Sequence, residues 1–143
     1  PVDSTLIPTG EVAPVEGTPF DFRTPHTIGD RIDQLGTGEG AGYDHNFALN
    51  STDGSLALAA TVRDPNSGRV LRVSTTEPGI QFYVGNFLAG QTGKGGQKYN
   101  YRSGFCLETQ HFPNAVNEPK FAPIILRPGE KYTHTCVYQV TEE

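Results

Sequence analysis

Seventeen glycines and eleven prolines punctuate these 143 residues, and the spacing of these breakers constrains the fold more than any other feature. Proline removes a backbone donor and clashes within a helix, while glycine weakens helix and strand alike. From residue 1 to 41, Pro8, Pro14, Pro19 and Pro25 recur among glycines, so extended connections and short strands are expected there. One short helical turn is predicted over Thr27 to Leu35, where Ile28, Ile32 and Leu35 share an i, i+4, i+7 face. From Tyr43 onward the apolar period becomes two. Leu56, Leu58, Ala60 and Val62 alternate with Ala57, Ala59, Thr61 and Arg63, then Asp64-Pro65-Asn66-Ser67-Gly68 interrupts before Val70 to Thr75 resumes. That pattern predicts a hairpin. Further strands are predicted over Ile80 to Val84 and Tyr101 to Leu107. A last one, over Lys131 to Val140, sets Tyr132, His134, Cys136, Tyr138 and Val140 on one face. Repeated hairpins without a long helix imply an antiparallel all-β fold, with no internal repeat and no domain boundary.

The length suits one domain, able to bury roughly 68–70% of the surface its unfolded chain exposes. A net charge of −5, without a cluster of Lys or Arg, argues against a nucleic-acid or anionic-membrane surface and favours a neutral ligand. No stretch approaches the roughly 20 apolar residues of a membrane-spanning helix. The N-terminus has neither the basic region nor the apolar core of a signal peptide. The chain lacks Met and starts at Pro1, which fits an internal fragment and equally fits removal of an initiator Met. Compartment stays open between cytoplasmic and secreted or periplasmic. Cys106 and Cys136 are expected to be reduced core residues, a disulfide being the alternative. Asn50-Ser51-Thr52 matches a glycosylation acceptor of low specificity.

Several chemistries lack their residues. Gly90-Gln91-Thr92-Gly93-Lys94-Gly95-Gly96-Gln97 has neither the order nor the following helix of a phosphate-binding loop and is expected to be a mobile surface loop. No Gly-x-Ser-x-Gly elbow supports a serine hydrolase. Glu108 and His111 form Glu-x-x-His, but Pro113 and the β setting remove the helical context that would make it a metal site; His26 and His134 add no ligand spacing. No metal is expected.

Three ordered strings remain: Gly42-Tyr43-Asp44-His45-Asn46-Phe47, then Glu77-Pro78-Gly79-Ile80-Gln81-Phe82-Tyr83-Val84-Gly85-Asn86-Phe87, then Gly104 to Asn117 with Leu107-Glu108-Thr109-Gln110 at its centre. Together with Pro1 to Glu11, they resemble the aldose 1-epimerases, or galactose mutarotases, over nearly the whole chain but less than half of the family's usual length. The resemblance implies part of a large antiparallel β-sandwich, the galactose mutarotase-like supersandwich, with residues 1–143 as the C-terminal portion of one such domain. It implies Glu108 as the catalytic base. Such a base works best when partial burial raises its pKa toward neutrality, a setting that Phe105 or Phe112 can help provide. It implies Asp44 and Gln81 as sugar-binding residues, since a carboxylate accepts hydroxyl hydrogen bonds and an amide both donates and accepts. His45, Tyr83 and His111 are placed on the pocket wall or just behind it. Phe82 and Tyr83 alternate, so one faces the pocket and the other the core.

The family's acid is a histidine followed by Pro-Tyr-Phe-Asn, with a second histidine and an Asn-Arg pair earlier; none of these occurs here. The resemblance therefore implies an aldose substrate, no cofactor, and an N-terminal companion polypeptide that supplies the acid, the lone chain being inactive. Two alternatives remain: a non-catalytic carbohydrate-binding module, and a sugar-phosphate epimerase relative needing an anion site that the scattered Arg63, Arg69, Arg72 and Arg102 do not form.

Overall fold

The computed structural model describes residues 1–38, 40–51 and 53–143; the Asn50-Ser51-Thr52 acceptor includes Thr52, which lies outside them. Among the described residues eight strands follow in order: β1 (Asp44–Ala48), β2 (Ala57–Arg63), β3 (Arg69–Thr75), β4 (Gly79–Tyr83), β5 (Gln91–Thr92), β6 (Lys98–Tyr99), β7 (Cys106–Gln110) and β8 (Cys136–Glu142). They form two three-stranded sheets, β1-β4-β7 and β2-β3-β8, and a small β5-β6 hairpin. Every pairing is antiparallel, although only β2–β3 and β5–β6 join consecutive strands.

The β2–β3 hairpin shows how the turn residues act. Asp64 accepts from the Asn66 backbone N–H at 3.0 Å and from the Ser67 hydroxyl at 2.6 Å, and Gly68 closes the turn at φ +69, where a Cβ would stand 2.8 Å from the Glu143 carbonyl oxygen. An aspartate anchor and a left-handed glycine are the chemistry such a turn needs.

The first sheet owes its position to its apolar face. Alternation sends Phe47, Phe82 and Leu107 to the side where Ile32, Tyr43 and Val84 are buried, with Phe20, Phe22, Ile28 and Leu35 packed around them. Tyr43 is fully buried. Its ring stacks on Phe82 at 5.1 Å between centroids and its hydroxyl donates to the Pro19 carbonyl at 2.9 Å, so the buried polar tip is satisfied. The proline-rich first third thus serves as a cover over the sheet.

Local expectations shift at four places. The helical turn contracts to a 3-10 segment, Ile32–Leu35, ended by Gly36 at φ +96; a nucleus this short does not propagate, although Ile28, Ile32 and Leu35 still face the core. The strand predicted over Tyr101 to Leu107 begins at Cys106, because Arg102 adopts φ +54 and sends its guanidinium to the Ala41 carbonyl at 2.8 Å. The last strand begins at Cys136 and runs to Glu142, since its partner β3 ends at Thr75 and leaves the preceding residues without a ladder. The glycine run, expected to be a mobile loop, is instead the β5–β6 hairpin, closed by Gly93 N–H to Gln97 O at 2.7 Å.

The cysteines also depart from expectation. Both are free thiols, but Cys106 is exposed and Cys136 half-buried, so neither is a core residue; they lie on strands of different sheets.

Candidate functional site

The register of the first sheet assembles a polar face from the three strings. Asn46, Gln81 and Glu108 stand opposite one another across β1, β4 and β7, and Asp44 opposes Tyr83 one step along. Since alternate residues share a face, Asp44 and Asn46, Gln81 and Tyr83, and Glu108 and Gln110 all point away from the aromatic core. They line one side of a pocket of about 380 Å³. Its other side comes from the N-terminus, where Val2, Leu6, Ile7 and Pro8 approach, and from Phe87, Pro113 and Asn114.

The polar side is already networked. The Gln81 side-chain amide donates to Asp44 Oδ1 at 2.8 Å. Gln110 Nε2 donates to Asn46 Oδ1 at 3.2 Å and lies 3.4 Å from Gln81 Oε1. The Tyr83 hydroxyl accepts the Phe87 backbone N–H at 3.1 Å. Two carboxylates, three carboxamides and a phenol thus share one concave surface, an array of donors and acceptors suited to a polyhydroxy ligand. The carboxylates stand on strands that flank β4 and are offset by two residues along them, so their backbones are about 12 Å apart. A small ring would lie between them, over Gln81.

The apolar side is held by the N-terminal segment itself. The Val2–Pro8 bridge closes a turn in which Asp3 accepts the Thr5 and Ile7 backbone N–H groups at 2.8 and 3.1 Å. These bonds hold the Asp3 carboxyl below its ordinary range, led by the Thr5 hydroxyl and then the two backbone donors.

Glu108, Asp44, Gln81 and Tyr83 are therefore brought together as the sequence implied, and Phe82 takes the core side of β4. Of the three residues expected on the pocket wall or just behind it, His45 and His111 do not line the pocket. His45 lies between Asp44 and Asn46, so strand alternation turns it to the opposite face, where its ring meets Phe20 at 4.6 Å. Burial there lowers its pKa, with the N-terminal charge adding to the effect and Asp44 opposing it. His111 follows β7 and turns away from the pocket to Glu77, with Nδ1 2.6 Å from Oε2. Partial burial of Glu108 by Phe105 or Phe112 is not made either: Glu108 is exposed, Phe105 packs toward Phe82 and Phe112 against Phe121.

Sequence reasoning missed Asn46 and Gln110, although each lies two residues from a residue it did name and period two would have found them. The N-terminal wall and the buried Glu77 had no local signal, because their neighbours are distant in sequence.

Comparison with known proteins follows the same lines. A family model described as "Aldose 1-epimerase" matches residues 1–139. The chain is 54% identical to a galactose mutarotase of Homo sapiens over 140 residues, covering 97% of this chain and 40% of that protein. It is 36% identical to an aldose 1-epimerase of Escherichia coli, covering 100% of this chain and 42% of that protein. The fold superimposes on a crystal structure of an aldose epimerase homologue from C. elegans with a TM-score of 0.83 at 29% identity, covering 99% of this chain and 42% of that one. The chain thus spans about 40% of the length of the curated relatives it matches.

Proposed function

Because the chain belongs to the aldose 1-epimerase family, we propose that its 143 residues form the C-terminal portion of a mutarotase β-sandwich domain. In this reading the enzyme interconverts the α and β anomers of a free aldohexose, glucose or galactose. The observation that carries the proposal is the shared face of Asp44, Gln81 and Glu108 on three adjacent strands.

Ring opening requires a base for the anomeric hydroxyl and an acid for the ring oxygen, each contributing typically about 10²–10⁴-fold. Glu108 takes the anomeric proton. The C1–O5 bond breaks as the ring oxygen gains a proton, giving the open-chain aldehyde; rotation about C1–C2 presents the other carbonyl face, and closure returns both protons. Asp44 and Gln81 hold the sugar hydroxyls during rotation. The reaction has no net redox change and calls for no cofactor.

The acid is assigned to residues outside these 143, in a companion polypeptide or another part of a longer chain. Among the described residues, no histidine lines the pocket. Strand ladders support the same reading: β1 and β7 border the first sheet, and β2 and β8 the second, each paired on one side only among the described residues. Such borders are templates for further strands. Mixing this chain with the N-terminal portion of a mutarotase and following α-D-galactose by polarimetry tests the proposal; restored anomer exchange supports it, and a stoichiometric complex without exchange refutes it.

The absence of a pocket histidine among the described residues also favours a second reading, a carbohydrate-binding module without catalysis. Sugar binding that persists while every reconstitution stays inactive would select it. The sugar-phosphate reading loses ground. Arg72 pairs with Glu143 at 2.6 Å, Arg63 reaches the Glu143 carbonyl, and Arg102 is held by Ala41; among the described residues no arginine lines the pocket.

A further inference from the structure

One cluster of titratable side chains outside the pocket has no part in the reading above. The chain crosses from β3 in the second sheet to β4 in the first through Thr76-Glu77-Pro78, and Glu77, at that corner, is only 4% exposed. A carboxylate in such a place needs donors or neighbouring positive charge. They come from segments that flank strands of both sheets. The Tyr132 hydroxyl donates to Oε1 at 2.5 Å, and His134 Nδ1 lies 2.8 Å from the same oxygen. Both precede β8. His111 Nδ1 stands 2.6 Å from Oε2 and follows β7. The Glu77 backbone N–H is itself held by Thr75 Oγ1 at 3.0 Å. Burial pushes the Glu77 carboxyl up, but Tyr132, His134 and His111 together outweigh it and keep the group below its ordinary value.

The importance of the cluster lies in what its members are attached to. His111 comes three residues after Glu108 and one after Gln110, and it leads directly into Pro113 and Asn114 on the pocket rim. Gln81, in β4, follows Glu77 by four residues. The β4–β7 ladder ends at Gly79 and Gln110, so the Glu77–His111 contact extends that pairing past its last residues. Thr76 continues the β3–β8 pairing in the same way, donating its N–H to Thr135 O at 3.0 Å.

We propose that Glu77 is a positioning residue for the pocket: through His111 it fixes the end of β7 and the Pro113–Asn114 rim, and through Tyr132 and His134 it anchors them to the second sheet. The role in sugar binding rests on the mutarotase reading, whereas the anchoring does not. Glu77→Gln removes the charge that faces both histidines and turns one carboxylate oxygen into an NH2 group that can only donate. Backbone residual dipolar couplings of the 143-residue protein, with D-galactose titrations followed by amide shifts, separate the two claims. The couplings of Thr109 to Asn114 are expected to change relative to those of β1 and β4, and galactose affinity to fall about tenfold, as for a misplaced binding group. Wild-type couplings in Glu77→Gln, even with a lower melting temperature, would overturn the proposal, because a merely stabilising residue would leave the rim in place. Should that variant fail to fold, Tyr132→Phe removes one donor, and wild-type couplings there overturn the proposal equally. If the wild-type protein binds no galactose, the mutarotase reading fails while the couplings still decide the anchoring.

Discussion

Replacing Gln81 tests the polar face most sharply, because its amide joins the strands on both sides. In Gln81→Ala the 2.8 Å bond to Asp44 is lost, and Gln110 loses a partner at 3.4 Å but keeps Asn46 at 3.2 Å. The cost therefore falls on the Asp44 contact. A bond to a charged group contributes about 1.5–3 kcal/mol, but Asp44 and Gln81 are only half-buried, and water replaces part of the loss; about 1 kcal/mol is expected, near the value for neutral bonds. In a domain of this size that lowers the melting temperature by about 2–4 °C. Asp44→Ala should cost a similar amount and the double variant about 1 kcal/mol less than the sum, since the same bond is broken twice. Sugar binding reads the other half of the reasoning. Each variant leaves a hydroxyl partner unmatched at about 1–3 kcal/mol, which weakens galactose binding about 5- to 140-fold. Urea denaturation and calorimetric titration give both quantities. Strictly additive stabilities with wild-type affinity would show that the pair neither couples nor touches sugar.

Other outcomes follow from the same structure. Glu108→Gln, in the reconstituted enzyme, should lower turnover about 10²-fold or more at saturating sugar while binding survives; unchanged turnover removes Glu108 from the mechanism. Tyr43→Phe should cost about 0.5–1.5 kcal/mol for the bond to Pro19, and Phe82→Ala about 3–5 kcal/mol for the cavity it leaves, both measured by urea denaturation; near-neutral effects would mean that the aromatic cluster is not the core. His45 has a folded pKa below its unfolded value of about 6.5, so the unfolded state binds more protons in that window. Its contribution is present above about pH 6.5 and is lost as pH falls through the folded value. His45→Gln should flatten that part of the stability–pH curve, and a slope that survives the substitution would place the titration elsewhere.

The all-β class and the β2–β3 hairpin were legible because both depend on local chemistry: breakers, period two and an Asp-to-Gly turn. Strand ends were less so. Tyr101 and Lys131 look like strand starts by pattern, yet Arg102 is claimed by Ala41 and the Lys131–Thr135 segment lies beyond the end of β3, both decisions made by residues far along the chain. The site divides in the same way. Asp44, Gln81 and Glu108 each sit within a local string, and the alternation that aligns them was readable for Phe82 and Tyr83. Applied to His45, the same alternation would have turned it to the core. His111 lies past the end of its strand, where period two no longer holds, and its direction is set by Glu77, 34 positions earlier in the chain.

Half of a proton-transfer pair is the central claim: a base and sugar-binding residues on one face, with the acid supplied from elsewhere. The most direct measurement is the optical rotation of freshly dissolved α-D-galactose in the presence of the 143-residue chain alone, its purity established by intact mass, and then after addition of the N-terminal portion of a mutarotase. The account predicts a decay no faster than the spontaneous one with the chain alone, and acceleration only when both pieces are present, because acid and base must flank one sugar ring. Anomer exchange by the pure chain alone, abolished by Glu108→Gln, would contradict it and place an acid within these residues.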